Sequence, residues 1–345
     1  MIEKNHVGIR STGIYIPQPR MTAADISQAT GGQWATQAVI DKLGIVEKPI
    51  PGQGDGTQAM AVQAARHALK RGQVDPKDID LILSMGEEWK EYPLTTTGIY
   101  VQDQIGAVNA WAIDLQQRCC STVSALKIAK DMMLQDPDLK VCMIVGGYRN
   151  GDFVDYGDTQ VSMMFNLSAG AGALILERNL GRNALKGSHI MSDGSMARDA
   201  GVEIGGTVNP ITPANALEAQ KSLRLMNAKH MKDRLNAVSM DNWMHCIDKA
   251  LNKSGATRAD IGYLAVLHFK RSMHQFMLGE LGLTEDQSIY LENYGHMGQV
   301  DQILSLHLAI EENKVKDGDL VAMIAAGIGY AWAAGMVEWG PVERT

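Results

Sequence analysis

Short apolar runs alternate with amphipathic stretches along most of the chain. "DPKDIDLILSMG" (75–86) is an acidic lead-in followed by a buried strand, and "TRADIGYLAVLH" (257–268) has the same shape. "LKVCMIVGGY" (139–148) is echoed by "GDLVAMIAAGIG" (318–329), each an apolar strand running into glycines. "RCCSTVSALKIAKDMM" (118–133) places small residues ahead of an apolar helix, and so does "GHMGQVDQILSLHLAIE" (295–311). The offsets between partners are 182, 179 and 177, in the same order along the chain. Three near-equal offsets in register suggest a duplicated half, with the join near "RNLGRNALKG" (178–187). We therefore expect two halves, 1–178 and 179–345. Strands alternating with helical stretches such as "TQAMAVQAARHALKRG" (57–72) predict an α/β fold of mostly parallel sheets covered by helices. Residues 190–236 break the pattern and read as an insertion that caps the fold.

Composition narrows the function classes. With 345 residues, 45% of them apolar and 21% charged, the chain can bury a large core. A formal charge of −7 argues against a nucleic-acid footprint, while leaving room for a local basic patch. Four cysteines without CxxC spacing suit a reducing cytoplasm better than a disulfide framework. "MIEKNHVGIR" lacks the order of a signal peptide, and no apolar run reaches the length of a membrane span. The expectation is a cytoplasmic protein with no membrane segment and no metal.

The candidate chemistry lies in "DLQQRCCSTVSAL" (114–126), where a strand hands over to a helix through two adjacent cysteines. Vicinal cysteines rarely bridge each other. A thiol at a helix N-terminus meets free backbone N–H groups and the positive end of the helix dipole, which favour the thiolate. The same N–H groups can hold an oxyanion. A buried cysteine acting as a small hydrophobe is the commoner case for one cysteine alone. The second half shifts that balance: His268 ends the strand "YLAVLH", and His296 lies in "NYGHMG" just before a helix. A thiol and two histidines at duplicated turns look like a nucleophile with its bases.

These stretches resemble the thiolase superfamily, in particular the branch holding 3-oxoacyl-acyl-carrier-protein synthase III and 3-hydroxy-3-methylglutaryl-CoA synthase. "VGIRSTGIYIPQPRMTAADI" is similar to that branch's opening strand and turn, and "KLGIVEKPIPGQGDGTQAMAVQAARHAL" to its next segment. "AIDLQQRCC" matches the family spacing of an aspartate five residues before the nucleophile, here Asp114 and Cys119 rather than Cys120. "AVLHF" fits the strand ending in the catalytic His268, and "AAGIGYAWAAGMVEW" the C-terminal glycine-rich strand pair. The resemblance implies a duplicated thiolase-like fold, layered αβαβα with two mixed sheets. It implies an oxyanion hole made by the N–H groups of Cys119 and Gly329. It also implies a homodimer that takes acyl-CoA or acyl-carrier-protein thioesters and needs no cofactor.

The departures bear on the reaction. The synthase III family has an asparagine where this chain has His296, and Cys–His–His sets occur in other condensing synthases of the superfamily. Arg118 and Cys120 replace small residues beside the nucleophile, and "NLSAGAGA" (166–173) stands for the family's "GDGAGA". Glu87 occupies the place of the catalytic glutamate of hydroxymethylglutaryl-CoA synthases; a solvated loop acid is the equal alternative. For CoA recognition, Ala38 and Lys42 precede "LGI" where the family has tryptophan and arginine, and Trp34 lies one turn upstream. Lys42 can meet a phosphate as a point charge. The basic residues of "RLMNAKHMKDR" (224–234) read either as a phosphate contact or as a solvated helix face. The expected activity is acyltransfer that condenses thioesters to a 3-oxoacyl product. Deprotonating condensation, plain acyl transfer or thioester hydrolysis, and an inactive scaffold are the alternatives.

Overall fold

The computed structural model describes residues 6–86 and 89–342. In chain order the first half contains β1 (Val7–Tyr15), β2 (Arg20–Thr22), α1 (Ala23–Ala29), α2 (Thr36–Ala38) and β3 (Glu47–Pro49). It continues with α3 (Thr57–Gly72), β4 (Leu81–Met85), α4 (Thr97–Ile105), β5 (Trp111–Leu115), α5 (Ser121–Gln135), β6 (Val141–Tyr148) and β7 (Gly170–Arg178). The second half begins with β8 (Arg182–Ser192), β9 (Gly201–Val202), α6 (Ala216–Ala219), β10 (Leu223–Arg224) and α7 (Ala228–Ser254). It ends with β11 (Ile261–Val266), α8 (Arg271–Leu281), α9 (Asp301–Glu311), β12 (Leu320–Gly327) and β13 (Ala331–Pro341).

Local chemistry sets these boundaries. Asp75 caps the turn that leads into β4, and a Thr257–Asp260 capping box opens the turn before β11. The acidic lead-ins seen in the sequence are these caps. Helices α4, α7 and α8 stop at Gly106, Gly255 and Gly282, all left-handed with φ between 70° and 77°. β4 is buried at every position, as a strand flanked by parallel neighbours should be.

Strand order repeats, and the sheets are mixed rather than mostly parallel. Five pairings of the large sheet are antiparallel and three parallel, because links such as residues 328–330 between β12 and β13 are too short for a crossover helix. The first half runs β1-β7-β6-β4-β5, antiparallel for the first two pairings and parallel for the rest. The second runs β8-β13-β12-β11 with the same alternation, and a lone parallel bridge from Leu264 to Ser288 stands where β5 has its counterpart. The two mixed sheets meet at one antiparallel pair, Gly8↔Ala184, and so join into a continuous nine-stranded sheet. Any side chain at Gly8 would put its Cβ 2.2 Å from the Arg182 carbonyl, so the seam needs glycine there.

Five layers follow from the contacts. α3 packs on β1, β6 and β7, and α7 packs on β8 and β13. Between them, α5 touches β4 and β6 of one half and β8 and β13 of the other, while α9 touches β11 and β12 as well as β1 and β7. The expected αβαβα layering is present. α5 and α9 are the buried middle layer, and their N-terminal turns face each other. The expected insertion at 190–236 is narrower: 190–192 finish β8 and 228–236 open α7, both packed into the repeated layers, and the stretch between them forms the small β9–β10 pair against the 3-10 turn Thr159–Met164.

Candidate active site

The turn that carries Cys119 is built by the residues around it. β5 delivers the chain to the 3-10 turn Arg118–Cys120, where Arg118 takes a left-handed φ of 51° and α5 begins at Ser121. Ser121 Oγ accepts from Gln117 N and donates to the Arg118 carbonyl, which fixes the turn. Asp114 serves a different purpose. Its carboxylate accepts from the Thr97 and Gly98 N–H groups at the start of α4 and pairs with Lys90 at 2.7 Å. It anchors β5 upstream of the thiol and does not touch it through any of these bonds.

The duplicated turn before α9 faces this one. Gln299, fully buried, donates to the carbonyls of Met85 and Gly147 and accepts from the Thr122 hydroxyl at the head of α5. That cross-link brings Cys119 Sγ to 3.1 Å from His296 Nε2. His296 Nδ1 donates to Asp301 Oδ2 at 2.6 Å, and Asp301 Oδ1 accepts from Met297 N at 2.7 Å. Cys119, His296 and Asp301 thus stand in a relay of thiol, imidazole and carboxylate. Burial disfavours charge on the His296 ring, but Asp301 and the Cys119 sulfur outweigh it and raise its pKa well above the ordinary value. A protonated ring there places its Nε2–H 3.1 Å from the Cys119 sulfur.

His268 is placed differently. Its backbone N–H reaches Asp301 Oδ2 at 2.8 Å, so both histidine turns share one carboxylate. Its ring Nε2 donates to the Gly44 carbonyl at 3.1 Å, and its Nδ1 accepts from Asn166 Nδ2 at 3.1 Å. Burial lowers its pKa to about 4, although the Gly44 carbonyl and the Asp301 carboxylate favour the charged ring. Cys119 and His296 each keep 9% exposure while His268 keeps 2%, so solvent reaches the thiol and its partner first.

Cys120 points away. It is fully buried, its Sγ lies 3.5 Å from the Ala331 carbonyl, and burial raises its pKa far above the ordinary thiol value. At the end of β12, a Cβ on Gly327 would come within 3.1 Å of Cys119 N. The glycine-rich strand end therefore lies against the Cys119 turn, two residues before Gly329. Trp34 is half-buried, edge-on to Phe165 at 6.2 Å. Lys42 is exposed on the π-helical turn Val39–Leu43, whose next residue, Gly44, holds His268. Lys229 and Arg234, in the basic stretch, pair with Asp233 and Asp193 at the surface. Glu87 lies outside the described residues.

Asp301 and Asn166 escaped the sequence reading. Asp301 had a signal: it is a charged residue opening a helix that is buried at almost every position. Asn166 had none, because its partner His268 is 102 residues away. Among the described residues, no group of three or more His, Cys, Asp or Glu is placed to hold a metal ion, and no helix is long and apolar enough to cross a membrane.

Comparison with known proteins agrees with the motifs. Residues 113–194 match the family described as 3-oxoacyl-[acyl-carrier-protein (ACP)] synthase III, and residues 251–339 match the C-terminal family of the same enzymes. A beta-ketoacyl-[acyl-carrier-protein] synthase III from Natranaerobius thermophilus is 26% identical over 335 residues, covering 96% of this chain and 98% of its own. One from Syntrophomonas wolfei is 26% identical over 337 residues, with 97% and 98% covered. The synthase III structure from Aquifex aeolicus superposes with a TM-score of 0.81 at 23% identity, over 96% of this chain and all of its own. Xanthomonas campestris OleA, solved with lauric acid and lauroyl-CoA, gives 0.81 at 16% identity, over 97% and 99%. At these identities the structures speak to the fold.

Proposed function

Taking its resemblance to the 3-oxoacyl-[acyl-carrier-protein] synthase III branch of the thiolase superfamily as the premise, we propose that this chain is an acyltransferase condensing acyl thioesters through an acyl-cysteine on Cys119. The observation that carries the reading is the 3.1 Å approach of Cys119 Sγ to an imidazole backed by a buried carboxylate. The thiolate attacks the carbonyl of a CoA or carrier-protein thioester. The N–H groups of Cys119 and Gly329 hold the oxyanion, and the leaving thiolate takes the proton of His296. Solvent then reprotonates His296.

In the second step a malonyl thioester loses CO2. Its enolate oxygen is held by His296 Nε2–H and by His268, which exchanges the Gly44 carbonyl for the substrate. The carbanion attacks the acyl-cysteine, the 3-oxoacyl thioester leaves, and the Cys119 thiolate is restored. The chemistry runs on these side chains and the thioesters alone, with Lys42 and Trp34 offered to the CoA moiety. With this reading go the division into halves at 1–178 and 179–345, a reducing cytoplasm for four free thiols, and a homodimer. The support for a dimer is β5, an edge strand with Trp111 45% and Ile113 38% exposed on alternate positions.

Intact-protein mass after mixing with acyl-CoAs of several lengths tests the proposal. An added acyl mass that disappears in Cys119→Ala is expected; an adduct on Cys120 sinks the assignment. Product analysis then compares malonyl with acetyl thioesters. Condensation from the acetyl thioester that vanishes in Glu87→Gln would replace decarboxylation by deprotonation. The relay with Asp301 also favours a second reading, transfer of the acyl group to water or another hydroxyl with His296 as base. Free acid released without condensation would establish it.

A further inference from the structure

Lys48, in β3, is fully buried although it carries an ammonium, and no step above uses it. Its Nζ donates to the Tyr156 hydroxyl at 2.8 Å, the Phe165 carbonyl at 2.6 Å and the Leu167 carbonyl at 2.5 Å. Three donors meet three acceptors, so the cation is fully satisfied inside the protein. The two carbonyls flank Asn166. That residue gives its side-chain amide to His268 Nδ1 at 3.1 Å and its carbonyl to His296 N at 2.8 Å. Ser168 N returns the bond to the His296 carbonyl at 3.0 Å.

The packing agrees. Gly295, just before His296, has φ 63°, and a Cβ there would lie 2.5 Å from the Asn166 carbonyl and 3.1 Å from Lys48 Cβ. Lys48, Asn166 and the His296 turn are in direct contact, with no room for a side chain between them. Tyr156 extends the cluster to Phe165, whose ring meets Trp34.

We propose that Lys48 is a positioning residue for both histidines: by gripping the carbonyls on either side of Asn166, it sets the His268 ring and the His296 backbone at once. It touches neither thiol nor substrate, so it acts only through the 165–168 segment and the Gly295 turn it packs against. Burial pulls its pKa down to about 7 and nearby Lys221 adds to that, while the three acceptor oxygens, Tyr156 among them, favour the charged form. Losing the ammonium leaves two carbonyls and a phenol buried without partners, a penalty the 165–168 segment relieves by shifting.

The proposal builds on the Cys119 reading, and its test needs no acyl thioester. Lys48→Met is compared with wild type by the rate at which iodoacetamide alkylates Cys119, identified by peptide mapping, at pH 6. A folded variant with a cooperative thermal transition should alkylate about tenfold more slowly, because a displaced His296 no longer pairs with the sulfur. A folded Lys48→Met with the wild-type rate overturns the proposal. If that variant does not fold, Lys48→Ala is refolded with propylamine, which is then dialysed away. The alkylation rate has to fall as the amine leaves, and a constant rate overturns the proposal. An unaltered alkylation contrast in a protein that forms no acyl-enzyme would reject the substrate reading and leave Lys48 in its role.

Discussion

His268 and His296 are buried side by side against one carboxylate, yet their charges are driven in opposite directions. The Asp301 carboxylate meets the ring of His296 but only the backbone N–H of His268. In the first case the carboxylate and the thiol outweigh burial and the pKa rises; in the second, burial wins and it falls to about 4. The lesson is that burial alone does not decide the state of an imidazole. What decides it is whether the carboxylate reaches the ring or the main chain. The pair is thereby split into one ring that favours the charged form and faces Cys119, and one that favours the neutral form, which can only donate from a single nitrogen.

The largest effect should come from removing what separates them. Asp301→Asn keeps the shape and takes away the charge that sustains the His296 cation. The rate of acyl-enzyme formation should fall about a hundredfold or more, the scale of a lost acid–base partner. Stopped-flow acylation followed by mass would show it, and a loss of less than about threefold would mean that His296 does not depend on Asp301.

A smaller effect should appear in stability against pH. His268, His274 and His307 are all lowered to about 4, whereas an unfolded histidine titrates near 6.5. Each is neutral in the fold, so its contribution is present above about 6.5 and is lost as pH falls toward about 4. His296 has the opposite sign: its contribution is complete below about 6.5 and is lost as pH rises through its higher folded value. The unfolding free energy from urea denaturation should therefore fall as pH drops from about 6.5 to about 4. His268→Gln should remove up to about 1.4 kcal/mol per pH unit of that slope. An unchanged slope would show that His268 is already charged in the fold.

The smallest effect sharpens the contrast between the two cysteines. Cys120→Ala removes a buried sulfur that packs beneath β13 and should destabilise by about 1 kcal/mol. Acylation of Cys119 should stay within about twofold of wild type. A loss of acylation comparable to that of Cys119→Ala would move the nucleophile to its neighbour.

The elements and their repetition are written in the order of residues along the chain. Apolar runs of strand length, caps at Asp75 and Thr257, and glycine stops are local events, and local events are written in consecutive residues. The offset of 177 between Cys119 and His296 was legible for the same reason, since duplicated turns keep their distance along the chain. Which ring nitrogen meets which partner is set by packing between distant segments. Asn166, Gly44 and Lys48 reach His268 and His296 through hydrogen bonds and packing that join segments far apart in the chain, and a polar side chain gives no sign in its own neighbourhood of what it will meet there. Asp301 lies between the two cases. Its spacing from His296 is local, but only the fold turns that carboxylate toward the ring of one histidine and the backbone of the other.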